Sequence, residues 1–154
     1  MAKRFLIWFW SSGGGSAFAV NLARRLSLQF GADAVRLSLR ADDPALVRAR
    51  ALGLDARGAD IVSDRRRPLT TLAQLARGRS VLEQHAHGVD TIIVAMNFAA
   101  AAPLAATLKL PIVYCAHDPA PHPGDYAPFG QFATQNLLLA RAARVVALSE
   151  FAAS

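Results

Sequence analysis

The residues of this sequence best suited to chemistry follow an apolar segment. Ile112 to Ala116 predict a buried strand, and His117 and Asp118 come directly after it. The carboxyl ends of parallel strands form the edge at which open α/β folds bind ligands. We therefore predict that His117 and Asp118 are catalytic. The loop that follows holds His122 and Asp125 among prolines and a glycine, and we predict that both contact the substrate.

Other interpretations of this segment stay open. Histidine and carboxylate side chains also suit zinc or iron, but these four residues lack a standard ligand spacing, so we predict no metal. His117 could instead bond only to backbone groups, which would make it a structural residue. Cys115, inside the apolar segment, is expected to be a small buried side chain rather than a nucleophile.

A glycine-rich loop forms a second candidate site. Gly13, Gly14 and Gly15 let backbone N–H groups face a ligand, and the positive end of the helix that follows favours an anion. The loop is not a Walker motif, because no Lys-Ser/Thr pair follows the glycines. It is also a poor dinucleotide fingerprint, because Phe18 occupies the third glycine position. Asp42 lies at a plausible distance for a ribose contact, and a tight turn without a ligand is the remaining alternative.

Further polar residues stand at predicted strand and helix ends. Asn97 follows a strand, where it could face the same crevice or bond to the turn. Ser149 and Glu150 are typical of a helix start, since a serine cap and an acid both suit its positive end. A ligand contact there would be an added role. His85 and His87 end a polar helix, and we expect both to face solvent.

An alternation of strands and helices must position these residues. The predicted strands are Phe5 to Trp10, Val35 to Leu39, Asp60 to Val62, Thr91 to Ala95, Ile112 to Ala116 and Val145 to Leu148. The predicted helices run from a Ser16 cap to Phe30, from Asp42 to Leu52, from Thr70 or Thr71 to His87, from Asn97 to Leu108 and from Phe129 to Ala142. Such alternation predicts an α/β fold: a Rossmann-like three-layer sandwich with a mainly parallel sheet of about six strands.

Composition and charge limit the kinds of protein this can be. A chain of 154 residues predicts one domain (1–154) with a sizeable core. Its single cysteine excludes an internal disulfide and fits a reducing compartment. The net charge of +6 favours acidic partners. Aromatic and basic residues are not interleaved as in single-strand binders, so we predict no nucleic-acid partner.

Two apolar stretches resemble targeting or membrane segments, and we predict neither. The segment Phe5 to Trp10 is short for a signal-peptide core, and the glycines follow at once. The segment Thr91 to Leu108 is nearly long enough to span a membrane, but Asn97 and Pro103 interrupt it. We expect a strand followed by a short helix there, and a soluble, cytoplasmic protein.

Four features together resemble a known family. They are the first strand with its glycine turn (Phe5 to Gly15), the strand ending in His117 and Asp118, the segment Arg144 to Phe151, and the order and separation of all three. In these features the whole chain resembles the N-terminal domain of retaining glycosyltransferases with the two-domain B-type fold, the glycosyltransferase family 4-like group.

The resemblance implies an activity and a division of labour. In that family the N-terminal domain binds mainly the acceptor, and a C-terminal domain holds the nucleotide-sugar donor. By similarity, Gly14 and Gly15 lie near the donor phosphates, and His117 contacts the sugar or the acceptor. The donor is a substrate, and the resemblance implies neither a cofactor nor a metal. The residues of the donor domain have no counterpart here, so we expect the isolated chain to be inactive.

The expected partners follow from this interpretation. They are a sugar or lipid-linked acceptor, the missing donor domain, and a second copy of the chain held through apolar surface that the missing domain would cover. The loop Arg65 to Arg67 could approach the inner face of a membrane. Two other functions stay open, a stand-alone nucleotide-binding module that uses Asp42 and a protein-interaction module.

Overall fold

Strands and helices alternate along the chain. The computed structural model describes residues 3–11, 13–61, 68–98, 100–117 and 128–148. The strands are β1 (Phe5–Trp8), β2 (Val35–Arg40), β3 (Asp55–Ala59), β4 (Thr91–Val94), β5 (Ile112–Ala116) and β6 (Arg144–Ala147). The helices are α1 (Gly14–Phe30), α2 (Pro44–Ala51), α3 (Pro68–His85), α4 (Ala101–Thr107) and α5 (Pro128–Arg141), with a 3₁₀ turn at Ala32–Ala34.

All six strands pair in parallel in the order β3-β2-β1-β4-β5-β6. The chain builds outward from β1 to β3, returns to β4 on the other side of β1, and then builds outward again. Helix α1 packs against α2, whereas α4 packs against both α3 and α5. With right-handed crossovers, the first pair covers one face of the sheet and the other three helices cover the opposite face. The predicted Rossmann-like three-layer sandwich is confirmed.

The central strands bury apolar side chains on both faces. Leu6, Ile7 and Trp8 of β1 are fully buried, as are Ile92 and Val94 of β4. Continuous apolar strands of this kind are typical of a parallel sheet between two helix layers. The reversal of strand order falls between β1 and β4, and open α/β sheets bind ligands outside the carboxyl ends of strands at such a point.

The predicted third strand is wrong. The predicted strand is Asp60 to Val62, but the observed strand is β3, five residues earlier, and Val62 lies outside the described residues. Pairing with β2 along its whole length fixes β3, helped by an ion pair of 2.8 Å between Arg36 Nε and Asp55 Oδ2. A Cβ on Gly58 would lie 2.9 Å from Leu46 Cδ2, so glycine there lets α2 pack closely on this edge strand.

The two apolar stretches form the predicted elements. Phe5–Trp8 is β1, and the stretch from Thr91 to Leu108 divides into β4 and α4. Among the helices of the described residues, none has the length and apolarity that a membrane crossing needs.

Candidate functional site

Three of the predicted site groups lie along one edge of the sheet. Gly13, Gly14 and Gly15 follow β1, Asn97 follows β4, and His117 comes directly after β5. These strands are neighbours in the order β1-β4-β5. Their carboxyl ends therefore bring the three groups to the crevice at the switch point.

The three glycines of this turn have different structural roles. Gly13 has φ +100°, a conformation that residues with a side chain rarely adopt. Gly14 is exposed, and a Cβ there would meet no heavy atom within 4 Å. Gly15 is buried, and its Cβ would lie 2.8 Å from both Cε atoms of the Phe9 ring. The turn therefore presents Gly13 and Gly14 outward and packs Gly15 inward.

An aromatic cluster packs against the glycine turn through the contact of Phe9 with Gly15. The ring of Phe98 meets Trp8 edge-to-face with centroids 5.0 Å apart, and meets Phe9 at 5.6 Å. Trp8 meets Trp10 in the same way at 5.3 Å. Phe98 directly follows Asn97, so the cluster ties the loop after β1 to the loop after β4. The sequence analysis assigned Trp8, Phe9 and Trp10 only to a strand, although three consecutive aromatic residues before the glycines were a signal.

A buried polar chain continues from this cluster. Trp10 Nε1 donates to Ser38 Oγ at 2.7 Å, and Ser38 Oγ lies 2.8 Å from His85 Nδ1. The indole N–H donates to Ser38 Oγ, and the tautomer of His85 decides which of Ser38 Oγ and His85 Nδ1 donates in the second bond. The expectation that His85 faces solvent is wrong, because α3 packs this side chain onto β2. His87 is exposed, as predicted.

His85 is neutral at pH 7. Burial is the largest cause, and together with the positive charges of Arg57 and Arg36 it lowers the pKa of His85 from the ordinary 6.5 to about 4. Asp55 opposes them. Arg36 Nη1 also donates to the carbonyl oxygens of His85 at 2.6 Å and of His87 at 3.0 Å. This guanidinium therefore holds the end of α3 against β2.

The predicted cap Ser16 has another role. Helix α1 begins at Gly14 with Gly13 in the cap position, so Ser16 lies within the first turn. Its hydroxyl donates to the Asp43 carboxylate, and that carboxylate also accepts from Ala45 N at 2.9 Å. Asp43 is thus the cap of α2, with Pro44 at the first helical position. One carboxylate joins the starts of α1 and α2.

Asp42 lies two residues after the end of β2. It is exposed, and the bidentate hydrogen bond from Arg40 lowers its pKa. With Asp60 and Ile61 it lines a cavity of about 280 Å³ at the carboxyl ends of β2 and β3. The carboxylate of Asp42 is exposed and ionised, so it is accessible for the predicted ribose contact.

The remaining described candidates are placed as follows. His117 is exposed. Asn97 is half-buried, and its Nδ2 donates to Thr134 Oγ1 on α5 at 3.4 Å, so it reaches a helix rather than only its own turn. Cys115 is buried, as expected, and burial raises the pKa of its thiol to about 11. It therefore stays protonated at neutral pH and is a poor nucleophile.

Other predicted residues lie outside the described residues. They are Asp118, His122, Asp125, Ser149 and Glu150, together with the loop Arg65 to Arg67. Within the described part of the chain, no three histidine, cysteine, aspartate or glutamate side chains are grouped as a metal site requires.

Comparisons with known proteins give one matching family model and several similar solved structures. Residues 13–154 match the family model described as glycosyl transferase 4-like domain. No curated protein matches the chain. Among solved structures, MurG of Acinetobacter baumannii is similar over 94% of this chain, with a TM-score of 0.63 and 14% identity.

HepE of Anabaena is similar in two structures. In its complex with UDP it matches 99% of this chain with a TM-score of 0.68 and 21% identity. In its complex with UDP and glucose it matches 97%, with a TM-score of 0.66 and 18% identity. The chain spans about two fifths of these proteins, 41% of MurG and 39% of HepE. At these identities the likeness shows the fold.

Proposed function

This chain belongs to the glycosyl transferase 4-like domain family, and we propose that it is the acceptor-binding domain of a retaining glycosyltransferase. The observation that carries the proposal is the meeting of the glycine turn, Asn97 and His117 at neighbouring strand ends. At this edge the backbone of Gly13 and Gly14 is open to solvent, and the His117 side chain is exposed. Such an edge suits a ligand that carries both phosphate and hydroxyl groups.

In this proposal the chemistry is transfer of a sugar from a nucleotide-sugar. The leaving diphosphate gains negative charge as the glycosidic bond breaks, and backbone N–H groups at Gly14 and Gly15 stabilise that charge. His117 donates a hydrogen bond to a sugar hydroxyl or orients the acceptor, and Asp118 orients the histidine. Asn97, His122, Asp125, Ser149 and Glu150 complete the proposed contacts to the substrate. The reaction requires neither a metal nor a cofactor.

The donor is held mainly by a second domain. The similar structures are more than twice the length of this chain, and HepE is described with UDP and with glucose. By analogy, the nucleotide-sugar binds between this domain and a C-terminal partner domain. The 154-residue chain alone then turns over little or no donor.

A fusion experiment tests this proposal. The chain is joined to the C-terminal part of HepE, and release of UDP from UDP-glucose is compared with the unfused chain. We expect turnover only from the fusion, and at least tenfold lower kcat in the fusion with His117→Ala, since about 1.4 kcal/mol of lost transition-state binding is a factor of ten. His87→Ala removes an exposed histidine away from the predicted site and serves as the control.

Two outcomes contradict the proposal. Transfer by the unfused chain at the rate of the fusion would show that no donor domain is needed. An equal effect of His117→Ala and His87→Ala would remove His117 from the site.

The ionised Asp42 favours a second function, a stand-alone nucleotide-binding module. In dinucleotide-binding folds an acid after the second strand bonds to the ribose hydroxyls, and Asp42 follows β2. This function predicts that calorimetry detects binding of NAD by the chain, and that Asp42→Ala abolishes it. Binding of UDP-glucose but not of NAD would favour the transferase.

The partners and location are part of the same proposal. The acceptor is a glycan or a lipid-linked sugar, and the protein acts in the cytoplasm. The proposal includes two further partners. The loop Arg65 to Arg67 contacts the inner face of a membrane, and the chain pairs with a second copy of itself.

A further inference from the structure

A groove runs along the carboxyl ends of β2 and β3. Two adjoining cavities form it, of about 170 Å³ and about 280 Å³, and Asp60 and Ile61 line both of them. Together they reach the lower end of the range of roughly 300 to 1,000 Å³ that small-molecule sites occupy. This surface, here called the β2–β3 groove, is lined by residues that include Ala41, Asp42, Asp60, Ile61, Gln74 and Arg77.

Backbone hydrogen bonds fix the walls of the β2–β3 groove. Ala41 N donates to Ala59 O at 2.9 Å, and Ile61 N donates to the same oxygen at 3.0 Å. The residues that leave β2 and β3 are therefore held side by side. The side chain of Ile61 also packs on the hydrophobic core, so the groove has an anchored apolar wall.

The β2–β3 groove is acidic, although the protein is basic. The net charge of the whole chain is +6, but the described ionisable residues that line the groove are two aspartates and one arginine. A bidentate hydrogen bond from Arg40 lowers the pKa of Asp42, and Arg77 Nη2 lies 3.1 Å from Asp60 Oδ2. Both carboxylates are exposed. A carboxylate can accept about four hydrogen bonds, so each keeps lone pairs for a ligand.

A third acceptor lines the groove from α3. Gln74 is half-buried, and its Oε1 atom is buried with no hydrogen-bond partner among the described residues. An acceptor in this condition is unfavourable, because it has lost its water and gained no donor. The groove therefore offers acceptor groups from Asp42, Asp60 and Gln74, whereas the guanidinium of Arg77 already donates to Asp60.

The β2–β3 groove lies next to the glycine turn. Asp42 is followed by Asp43, whose carboxylate accepts from Ser16 in the first turn of α1. The strand order is β3-β2-β1 on this side of the sheet. Neighbouring strands lie about 4.8 Å apart, so the end of β3 is roughly 10 Å from the turn that follows β1. A ligand that reaches from the turn into the groove is therefore longer than a single hexose.

We propose that the β2–β3 groove binds an uncharged sugar unit. The hydroxyl groups of the sugar donate to Asp42, Asp60 and Gln74 Oε1, and a carbon face of its ring packs on Ile61. An anionic sugar, such as a uronic acid or a sugar phosphate, is rejected because it brings its charge against two carboxylates. The identification of this unit as the far end of an acceptor rests on the proposed function, whereas its binding in the groove does not.

Titration with two matched sugars tests the proposal. Glucose and glucuronate are the probes, because they differ only in the terminal carboxylate, and nitrogen–proton correlation NMR of the labelled chain follows the binding. We expect glucose to shift the backbone amide signals of Asp42, Asp60 and Gln74. We expect glucuronate to bind at least about fivefold more weakly, because like charges brought together are unfavourable.

Two pairs of substitutions separate the acceptors from the charge. Asp42→Ala with Asp60→Ala removes both acceptors and should weaken glucose binding about tenfold or more, the usual effect of losing a hydrogen bond to a charged group. Asp42→Asn with Asp60→Asn keeps an oxygen at each place and removes both charges. In this second pair the preference for glucose over glucuronate should fall below about twofold.

Gln74→Met tests the buried acceptor. Methionine has a similar length and lacks the amide oxygen, so glucose binding should weaken about fivefold or more. The urea midpoint of the free chain should stay the same or rise, because the unpaired acceptor is gone. Unchanged glucose binding, or a clear loss of stability, would remove Gln74 Oε1 from the site.

The matched control is the pair Asp33→Ala and Glu83→Ala. It removes the same charge from two exposed acids that do not line the β2–β3 groove, and we expect less than about a twofold effect on glucose binding, since distant exposed charges are screened. An equal loss in the control pair would overturn the proposal. So would the absence of glucose binding, tighter binding of glucuronate, or shifts confined to residues outside the groove.

These outcomes are distinct from those of the fusion experiment. Glucose binding in the groove together with an inactive fusion would retain the sugar site and remove the transferase. An active fusion without glucose-dependent shifts at the groove would retain the transferase and remove the sugar site.

Discussion

At the scale of single residues, two glycines of the turn are required for different physical reasons, although they look alike in the sequence. Gly13 is needed for its backbone angle, with φ +100°, and Gly15 is needed because the Phe9 ring occupies the space of a side chain. Gly14 meets neither requirement. The turn therefore combines an open outer side with a packed inner side.

A pair of substitutions checks this distinction. Gly15→Ala forces its methyl group against Phe9 and should lower the free energy of unfolding by about 1–3 kcal/mol, the usual cost of overpacking. Gly14→Ala adds a methyl group in open space at the start of a helix and should cause no loss. Urea denaturation measures both. Recovery of stability in Gly15→Ala combined with Phe9→Leu would locate the clash, and equal stability of the two single variants would contradict it.

The buried His85 should make stability depend on pH. Its pKa is about 4 in the folded chain and about 6.5 when unfolded, so between these values the unfolded state binds more protons. Stability is therefore full above pH 6.5 and falls as the pH drops to 4, by about 2–3 kcal/mol. Denaturation at pH 7 and pH 4 should show this loss in the wild type and in His87→Gln. In His85→Gln the loss should be smaller by that amount, and an unchanged loss would contradict the assignment.

The sequence located several site residues but not the contacts that hold them. His117, Asn97 and the glycines could be placed at strand ends because strand order along the chain determines which ends meet. The partners of His85 could not be predicted. Ser38 lies 47 residues away along the chain, and a histidine near a helix end gives no local sign of burial.

At the scale of elements, tertiary pairing outweighs local preference. The β3 sequence contains glycine, aspartate and alanine, which are poor strand formers, yet β3 forms because β2 offers a full row of partners. Ile61, which follows β3, is β-branched and favours a strand by propensity, yet it lies outside β3. Helix α1 likewise starts at glycines rather than at Ser16, whose hydroxyl serves Asp43 instead.

The shared carboxylate of Asp43 makes a prediction about the helix starts. Asp43→Ala removes the cap of α2 and the partner of Ser16, and should lower the free energy of unfolding by about 1–2 kcal/mol. The neighbouring Asp42→Ala removes only an exposed ion pair and should leave thermal stability within error. A loss in Asp42→Ala as large as that in Asp43→Ala would show that the two carboxylates are not distinguished as the structure has them.

At the scale of the whole molecule, the two edges of the sheet differ. The β3 edge is polar and carries ion pairs. In β6 all four residues are exposed, including Val145 and Val146, and Leu148 follows them. Phe132 and Leu139 of the neighbouring α5 are also exposed. Among the described strands β6 pairs only with β5. An apolar edge strand favours pairing with another chain, and in the proposed transferase the rest of the protein would cover it.

A charged side chain on the β6 edge should therefore weaken the association between copies of the chain. We expect the weight-average mass of the 154-residue chain to rise with concentration in analytical ultracentrifugation, and Val146→Lys to weaken the association at least tenfold, because the lysine opposes burial of the edge. Val47→Lys adds the same charge to an exposed valine on α2 and controls for simple repulsion. An unchanged association in Val146→Lys, or an equal weakening in Val47→Lys, would place the contact elsewhere. Joining the chain to a donor domain should also suppress the association, since the same apolar edge then lies within one protein.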